Sequence, residues 1–213
     1  MQALNHELFL LLNAPVHAHG APVVFAIFFA TYLIYLLPIG LVWVAITGDA
    51  KDRKVMTSAV LTALLALLLG LVISTVWPQP RPFAIPLGTN LLPHVTDAGF
   101  PSDHALVFFG LGFGMLVQAR LAWSAMPLMA AGVMVGWARI YLGVHFPVDV
   151  VGAVPVALVA ALLVRSAAGC VSSRVADPLE AIYERLRRAA LKVRTRVTGS
   201  KHVLRRPLHR NDQ

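Results

Sequence analysis

The sequence predicts an all-α membrane protein, a polytopic bundle of about five transmembrane helices with interfacial helices at the N-terminus and in the C-terminal tail. The first observation is composition: 58% of the 213 residues are hydrophobic and the mean hydropathy is +0.72, which is too apolar for a soluble domain of this length. The second is that several apolar runs reach the roughly 20 residues that cross a bilayer. Backbone groups in lipid must bond within their own segment, so these runs are predicted to be helices.

Turn residues and prolines divide the apolar runs into five predicted spans, of which the third is the shortest. They cover residues 22–46, 55–77, 102–118, 123–142 and 147–164. Pro78 and Pro80 stop the second span, because proline cannot continue a helix. We therefore expect an N-terminal interfacial segment over 1–20, a transmembrane domain over 21–170 and a basic amphipathic cytoplasmic tail over 171–213.

The basic residues predict the orientation. If the span count is odd, all but two of the 18 lysines and arginines fall on one face of the membrane. The exceptions are Arg81 and Arg139. The positive-inside rule makes the basic face cytoplasmic, which leaves the N-terminus and the 78–101 loop outside.

The two ends of the chain are predicted to lie on membrane surfaces. Residues 3–12 are apolar but too short to span. In the tail, Asp177 as N-cap, Pro178 and Glu180 predict a helix start, followed by basic and apolar residues at helical spacing. Such a helix fits the anionic cytoplasmic leaflet. A nucleic-acid partner is disfavoured, because Tyr183 is the tail's only aromatic residue.

His145 and Asp149 open the fifth predicted span, four residues apart, with Arg139 six residues upstream. A carboxylate bonded to one imidazole nitrogen fixes the tautomer and leaves the other nitrogen free to attack phosphorus. The alternative is a structural histidine capped by a nearby carboxylate. Arg139 either turns inward to bind phosphoryl oxygens bidentately or snorkels to the lipid headgroups.

Ser102 and His104 open the third predicted span, with Ser102 as N-cap. A helix N-terminus suits an anion, so His104 would stand beside a bound phosphate as general acid. Asp103 either favours the helix dipole or holds a cationic side chain. Arg81 lies among prolines that stiffen its turn, and the alternative is an exposed loop arginine. Together these residue types favour a membrane-embedded lipid phosphatase.

The order of these residues resembles the three signature motifs of the type 2 phosphatidic acid phosphatase superfamily. The similarity extends over roughly residues 20–166, and the matching stretches are Arg81-Pro82, Pro101-Ser102-x-His104 and Arg139-x5-His145-x3-Asp149. Two longer sequences, Pro-Arg-Pro-Phe at 80–83 and Phe-Pro-Ser-Asp-His at 100–104, resemble one bacterial branch. That branch is the bacitracin-resistance type of undecaprenyl diphosphate phosphatase, which the Leu92-Pro93-His94 stretch also fits.

The resemblance implies a role for each motif residue. His145 would be the nucleophile, Asp149 would orient it, and His104 would protonate the leaving group. Arg81, Arg139 and Ser102 would hold the phosphate, and we add Asp103 to the predicted phosphate-binding set because it lies between Ser102 and His104. The family works without a metal, so no metal or other cofactor is expected.

Three positions depart from the family pattern. The lysine that begins the first motif is Ser74 here, so one phosphate-binding cation is missing. Asp103 replaces a glycine, and Ala138 replaces a serine.

The expected reaction is hydrolysis of undecaprenyl diphosphate at the outer face of the bacterial plasma membrane, where that lipid is released after glycan polymerisation. Other lipid phosphates remain alternatives: phosphatidylglycerol phosphate, phosphatidic acid and glycolipid phosphates. So does a carrier or scramblase that binds headgroups without cleaving them, although it would need neither Asp149 nor His104. A metal site at His94, Asp97 and Asp103 is a further, weaker alternative.

Overall fold

The protein is an all-helical bundle, as the sequence predicts. Its structure, a computed structural model, describes residues 2–118 and 122–203, and these contain no β-strand. Seven helices are used below: α1 Gln2–Leu12, α2 Ala21–Thr47, α3 Ala50–Val76, α4 Asp103–Leu116, α5 Ala122–Tyr141, α6 Pro147–Ser166 and α7 Asp177–Val203. Helix α2 is irregular, with a π-helical turn at Phe28–Tyr32 and a 3-10 turn at Leu33–Tyr35.

Three helices of the described chain are long and apolar enough to cross a membrane. They are α2, α3 and α6, each with an 18-residue stretch whose mean hydropathy is 2.2, 2.6 and 2.3, respectively. Helix α4 has only 14 residues, or about 21 Å at the usual rise, less than the roughly 30 Å of a hydrocarbon core. The membrane helix bundle is therefore confirmed, whereas the count of five spans stays a prediction.

Helix α4 lies at the centre of the bundle, in contact with α3, α5 and α6. Its apolar side chains are buried by protein on nearly every side. Glycines allow the close approach of α3: a Cβ on Gly110 would lie 2.7 Å from Ala63 Cα, and one on Gly114 would lie 2.6 Å from Ala59 Cα. The second motif, at the start of α4, is thereby fixed relative to the neighbouring helices.

Ion pairs join the start of α3 to the start of α7. Arg53 Nε donates to Glu180 Oε2 at 2.8 Å, and Lys54 Nζ lies 2.6 Å from Asp177 Oδ1. The predicted N-cap role of Asp177 is wrong, because its backbone is already helical and continues the turn Ser172–Ala176. Its carboxylate instead anchors the tail helix to α3. Residues 204–213 of the predicted tail lie outside the described part.

Helix α1 packs against α5 and α6. Phe9 is fully buried, with its ring 5.2 Å from that of Phe146, and Asn13 Nδ2 donates to Thr89 O and Tyr141 O at 2.9 and 3.0 Å. This short helix therefore supports the loop between α5 and α6. Its place at the membrane surface, and the three-part division of the chain, stay predictions.

Candidate active site

The three sequence motifs meet at the end of the bundle opposite the α3–α7 ion pairs. The loop after α3, the start of α4, the last turn of α5 and the start of α6 supply the predicted site residues. Those buried together are Arg81, Ser102, Arg139, His145 and Asp149. His104 is half-buried and Asp103 is exposed, both in the first turn of α4.

His145 is held by Asp149, as their spacing predicts. Nδ1 of His145 lies 3.1 Å from Asp149 Oδ2, which also accepts the Phe146 N–H at 2.8 Å. On the other side of the ring, Arg81 Nη1 lies 3.0 Å from Nε2. A guanidinium only donates, so we assign a neutral imidazole with its proton on Nδ1 and its lone pair on Nε2. Burial, followed by the charges of Arg139 and Arg81, holds the pKa of His145 well below 6.5.

Arg81 is a buried side chain, not an exposed loop arginine. Its Nε donates to Asp97 Oδ1 at 2.7 Å, its Nη1 to Val144 O at 3.0 Å and its Nη2 to Ala98 O at 3.3 Å. Burial would raise the pKa of the Asp97 carboxyl group, but the hydrogen bond and charge of Arg81 outweigh it and lower that pKa. Asp97 is therefore an ionised partner that fixes the guanidinium.

Arg139 turns into the protein rather than towards the lipid headgroups. It is 3% exposed, and its Nη1 donates to Ala30 O at 3.2 Å, in the π-helical turn of α2. Its Nη2 lies 2.9 Å from His94 Nε2. Its Nε is buried with no hydrogen-bond partner.

Ser102 occupies the N-cap position of α4 but makes no side-chain capping bond. Its hydroxyl is buried without a partner, while its backbone N–H donates to Asp149 O at 3.1 Å. This bond ties the start of α4 to the start of α6. The second and third motifs are thus joined through the backbone, and the Ser102 hydroxyl remains available as a donor.

In the loop before the second motif, His94 contacts Arg139 and Asp97 contacts Arg81. The sequence indicated these two residues only as possible metal ligands, together with Asp103. The sequence feature that could have indicated a role at the site is a histidine and an aspartate three residues apart, just before Phe-Pro-Ser-Asp-His. Gly99, also missed, packs where a Cβ would lie 3.2 Å from both Arg81 Cγ and Asp149 Oδ2. Within the described residues, no group of three or more His, Cys, Asp or Glu side chains is arranged to hold a metal ion.

The position of the family lysine offers no cation here. Ser74 lies in the last turn of α3, and its hydroxyl donates back to Leu71 O at 3.0 Å. Ala138, the other small replacement, is buried against Ala26 and Ala30 of α2. The two arginines therefore carry the positive charge at the buried end of the site.

One end of this apolar helix bundle holds an imidazole paired with a carboxylate and two guanidinium groups that point inward. This arrangement places the protein among the membrane phosphatases. Residues 55–169 match the PAP2 superfamily. The chain belongs to that superfamily, whose motifs its sequence resembles, and is a hydrolase of this class.

Relatives confirm the resemblance to the bacitracin-resistance branch. Undecaprenyl-diphosphatase BcrC of Bacillus subtilis (strain 168) is 31% identical over 161 residues, which cover 75% of this chain and 82% of that protein. Bacitracin transport permease protein BcrC of Bacillus licheniformis is 36% identical over 145 residues, which cover 67% of this chain and 69% of that protein. The crystal structure of Aquifex aeolicus LpxE matches with a TM-score of 0.61 at 31% identity, over 76% of this chain and 95% of that one.

Proposed function

We propose that this protein hydrolyses undecaprenyl diphosphate to undecaprenyl phosphate and inorganic phosphate through a phosphohistidine on His145. The name of the Bacillus subtilis relative supports the substrate. The Phe-Pro-Ser-Asp-His sequence at 100–104 supports the same branch. The contacts of His145 support the mechanism.

In the first step, Nε2 of His145 attacks the terminal phosphorus. The Nε2–P bond forms as the bond from phosphorus to the bridging oxygen breaks. The imidazole gains positive charge, which the Asp149 carboxylate stabilises from 3.1 Å away. Arg81, whose Nη1 lies 3.0 Å from Nε2, is close enough to bind an oxygen of the same phosphate.

In the second step, water hydrolyses the phosphohistidine and inorganic phosphate leaves. His104, in the first turn of α4, is the group we assign to proton transfer. It donates a proton to the leaving lipid phosphate and then accepts one from the attacking water. Two arginines and the N–H groups of a helix start neutralise the phosphate, so the proposal needs no metal ion.

The observation that carries the proposal is a pair of buried donors with no hydrogen-bond partner, Ser102 Oγ and Arg139 Nε. Buried polar groups are nearly always bonded, and leaving one unpaired costs about 1–3 kcal/mol. Both donors belong to the predicted phosphate-binding set. A phosphate group has enough acceptor oxygens to satisfy both.

We place the site on the extracytoplasmic side of the bacterial plasma membrane, with the basic tail on the anionic cytoplasmic leaflet. The division of basic residues supports this orientation. The contacts of Arg53 and Lys54 with α7 support it too. They bring the basic loop and the basic tail together at the start of α3, which is the end remote from Arg81. A site facing outward meets diphosphate on the outer leaflet.

The test is phosphate release from undecaprenyl diphosphate by the purified protein in detergent, with phosphatidic acid as the comparison lipid. His145→Ala should lower turnover by about four to six orders of magnitude, as deletions of other nucleophiles do. His17→Ala, a matched change at an exposed histidine outside the site, should leave turnover unchanged. Near-wild-type turnover in His145→Ala would refute the mechanism, and faster turnover of phosphatidic acid would refute the substrate.

The alternative of a carrier that binds lipid phosphates without cleaving them does not fit this chain. One relative, from Bacillus licheniformis, is named a transport permease protein, but the PAP2 superfamily match and the undecaprenyl-diphosphatase relative support hydrolysis. The orientation of His145 by Asp149 also argues against a carrier, because binding alone does not need a free nucleophilic nitrogen.

A further inference from the structure

Both phosphate-site arginines are held by the loop that precedes the second motif. Asp97 Oδ1 accepts from Arg81 Nε at 2.7 Å, and His94 Nε2 lies 2.9 Å from Arg139 Nη2. None of the three sequence motifs contains these two residues. The loop therefore contributes directly to the surroundings of the phosphate, beyond the residues assigned above.

The loop pair lies nearer to solvent than the nucleophile. The side chains of His145 and Asp149 are each 2% exposed, whereas those of His94 and Asp97 are 22% and 53% exposed. A terminal phosphate that reaches Nε2 of His145 must enter from the exposed side. In a diphosphate the second phosphate follows the first through one bridging oxygen, so it lies further towards the opening.

The contacts of His94 define its hydrogen-bonding state. Arg139 can only donate, so His94 Nε2 accepts, and Nδ1 donates to Val95 O at 3.2 Å. Burial has the largest effect on the pKa of His94 and lowers it, and the charges of Arg81 and Arg139 lower it further. The hydrogen bond to Val95 O acts in the opposite direction but does not outweigh them. A second phosphate would supply the opposite charge and favour a proton on Nε2. Asp97 Oδ1, 3.8 Å from Nδ1, favours the same protonated form.

We propose that His94 binds the second phosphate of a diphosphate substrate, the phosphate that stays with the lipid. In this arrangement Nε2 of His94 donates to a phosphate oxygen instead of accepting from Arg139, which releases Nη2 of Arg139 to the same ligand. A monophosphate ester places an alkyl or glycerol oxygen at that position and gains little from His94. His94 is then a residue that selects diphosphates, an inference that rests on the proposed function.

The experiment compares His94→Gln with the full-length wild-type protein on farnesyl diphosphate and farnesyl monophosphate, which share one chain and differ by one phosphate. The value of kcat/KM should fall about 10- to 100-fold on the diphosphate, the loss expected of one hydrogen bond to a charged group, and by less than about threefold on the monophosphate. His17→Gln is the matched control and should change neither value. Inhibition by methylenediphosphonate should weaken about tenfold in His94→Gln, while inhibition by inorganic phosphate stays the same.

The outcomes separate this inference from the proposed function. Equal losses on both substrates would make His94 a structural residue and overturn the inference, as would an unchanged rate on the diphosphate. If the wild type hydrolyses only the diphosphate, inhibition by methylenediphosphonate and by inorganic phosphate is compared instead. Equal weakening of the two inhibitors in His94→Gln, or no weakening of either, would overturn the inference. A wild type that releases phosphate from the monophosphate alone, or from neither, refutes the proposed function and this inference with it.

Discussion

Replacement of Asp149 by asparagine tests whether the negative charge of that residue, rather than its shape, drives the attack by His145. In the structure Oδ2 accepts from both His145 Nδ1 and Phe146 N, at 3.1 and 2.8 Å. An amide oxygen in the same place can accept both bonds. Asp149→Asn therefore keeps the geometry and removes the charge.

The magnitude follows from the positive charge that the imidazole gains as the Nε2–P bond forms. Two unit charges about 4 Å apart interact by about 4 kcal/mol at an effective dielectric constant of about 20. Because the charge is only partly developed in the transition state, we expect a loss of about 2–4 kcal/mol, or about 30- to 1,000-fold in kcat. Asp149→Ala should cost more, since it also leaves the Phe146 N–H buried and the ring free to rotate.

The assay is single-turnover formation of phosphohistidine, trapped by rapid quenching, together with steady-state phosphate release. Asp177→Asn is the control, because it removes a carboxylate from the α3–α7 ion pairs at the other end of the bundle. Thermal unfolding in detergent checks that the variants fold. A rate of phosphohistidine formation within about threefold of wild type in Asp149→Asn would contradict the electrostatic reasoning above.

Three further predictions concern pH, the general acid and topology. In Asp149→Asn, where this side chain no longer titrates, kcat/KM corrected for substrate ionisation should not fall as pH drops through 6.5, because the nucleophile must be neutral and the pKa of His145 lies well below 6.5; a protonation midpoint at or above that value would contradict the assignment. His104→Ala should cost less on undecaprenyl diphosphate than on phosphatidic acid, because a phosphate ester leaves more easily than an alkoxide, and equal losses would refute this. In a Cys170→Ser background, cysteine at Thr89 should react with an impermeant thiol reagent in intact cells and cysteine at Ser200 should not; the reverse pattern would overturn the orientation.

Much of the catalytic pair could be predicted from the sequence because it is local. His145 and Asp149 are four residues apart at a helix start, where the chain itself brings the two side chains within reach, and the structure has them 3.1 Å apart. Their order with Arg81, Ser102 and Arg139 was enough to indicate the family. These predictions needed only short-range geometry and residue chemistry.

The packing of the helices could not be read in the same way. An apolar face has the same periodicity whether lipid or protein covers it, so the sequence predicted α4 as the shortest of five spans but not what surrounds it. Tertiary structure makes it a short central helix, enclosed by α3, α5 and α6. Asp177 is a similar case: its sequence signature is that of a cap, but contact with Lys54 gives it another partner.

The sequence by itself determined the apolar helices, the uneven distribution of basic residues and the types of side chain that meet phosphate. Only the tertiary structure decided which groups surround His145, because those contacts join residues far apart in the chain. Arg81 contacts Nε2 of His145 although the two residues are 64 positions apart in the sequence, and His94 contacts Arg139 although they are 45 positions apart. Loops have no periodic pattern that fixes their path, so the position of His94 and Asp97 depends on the packed helix ends and the bonds between them.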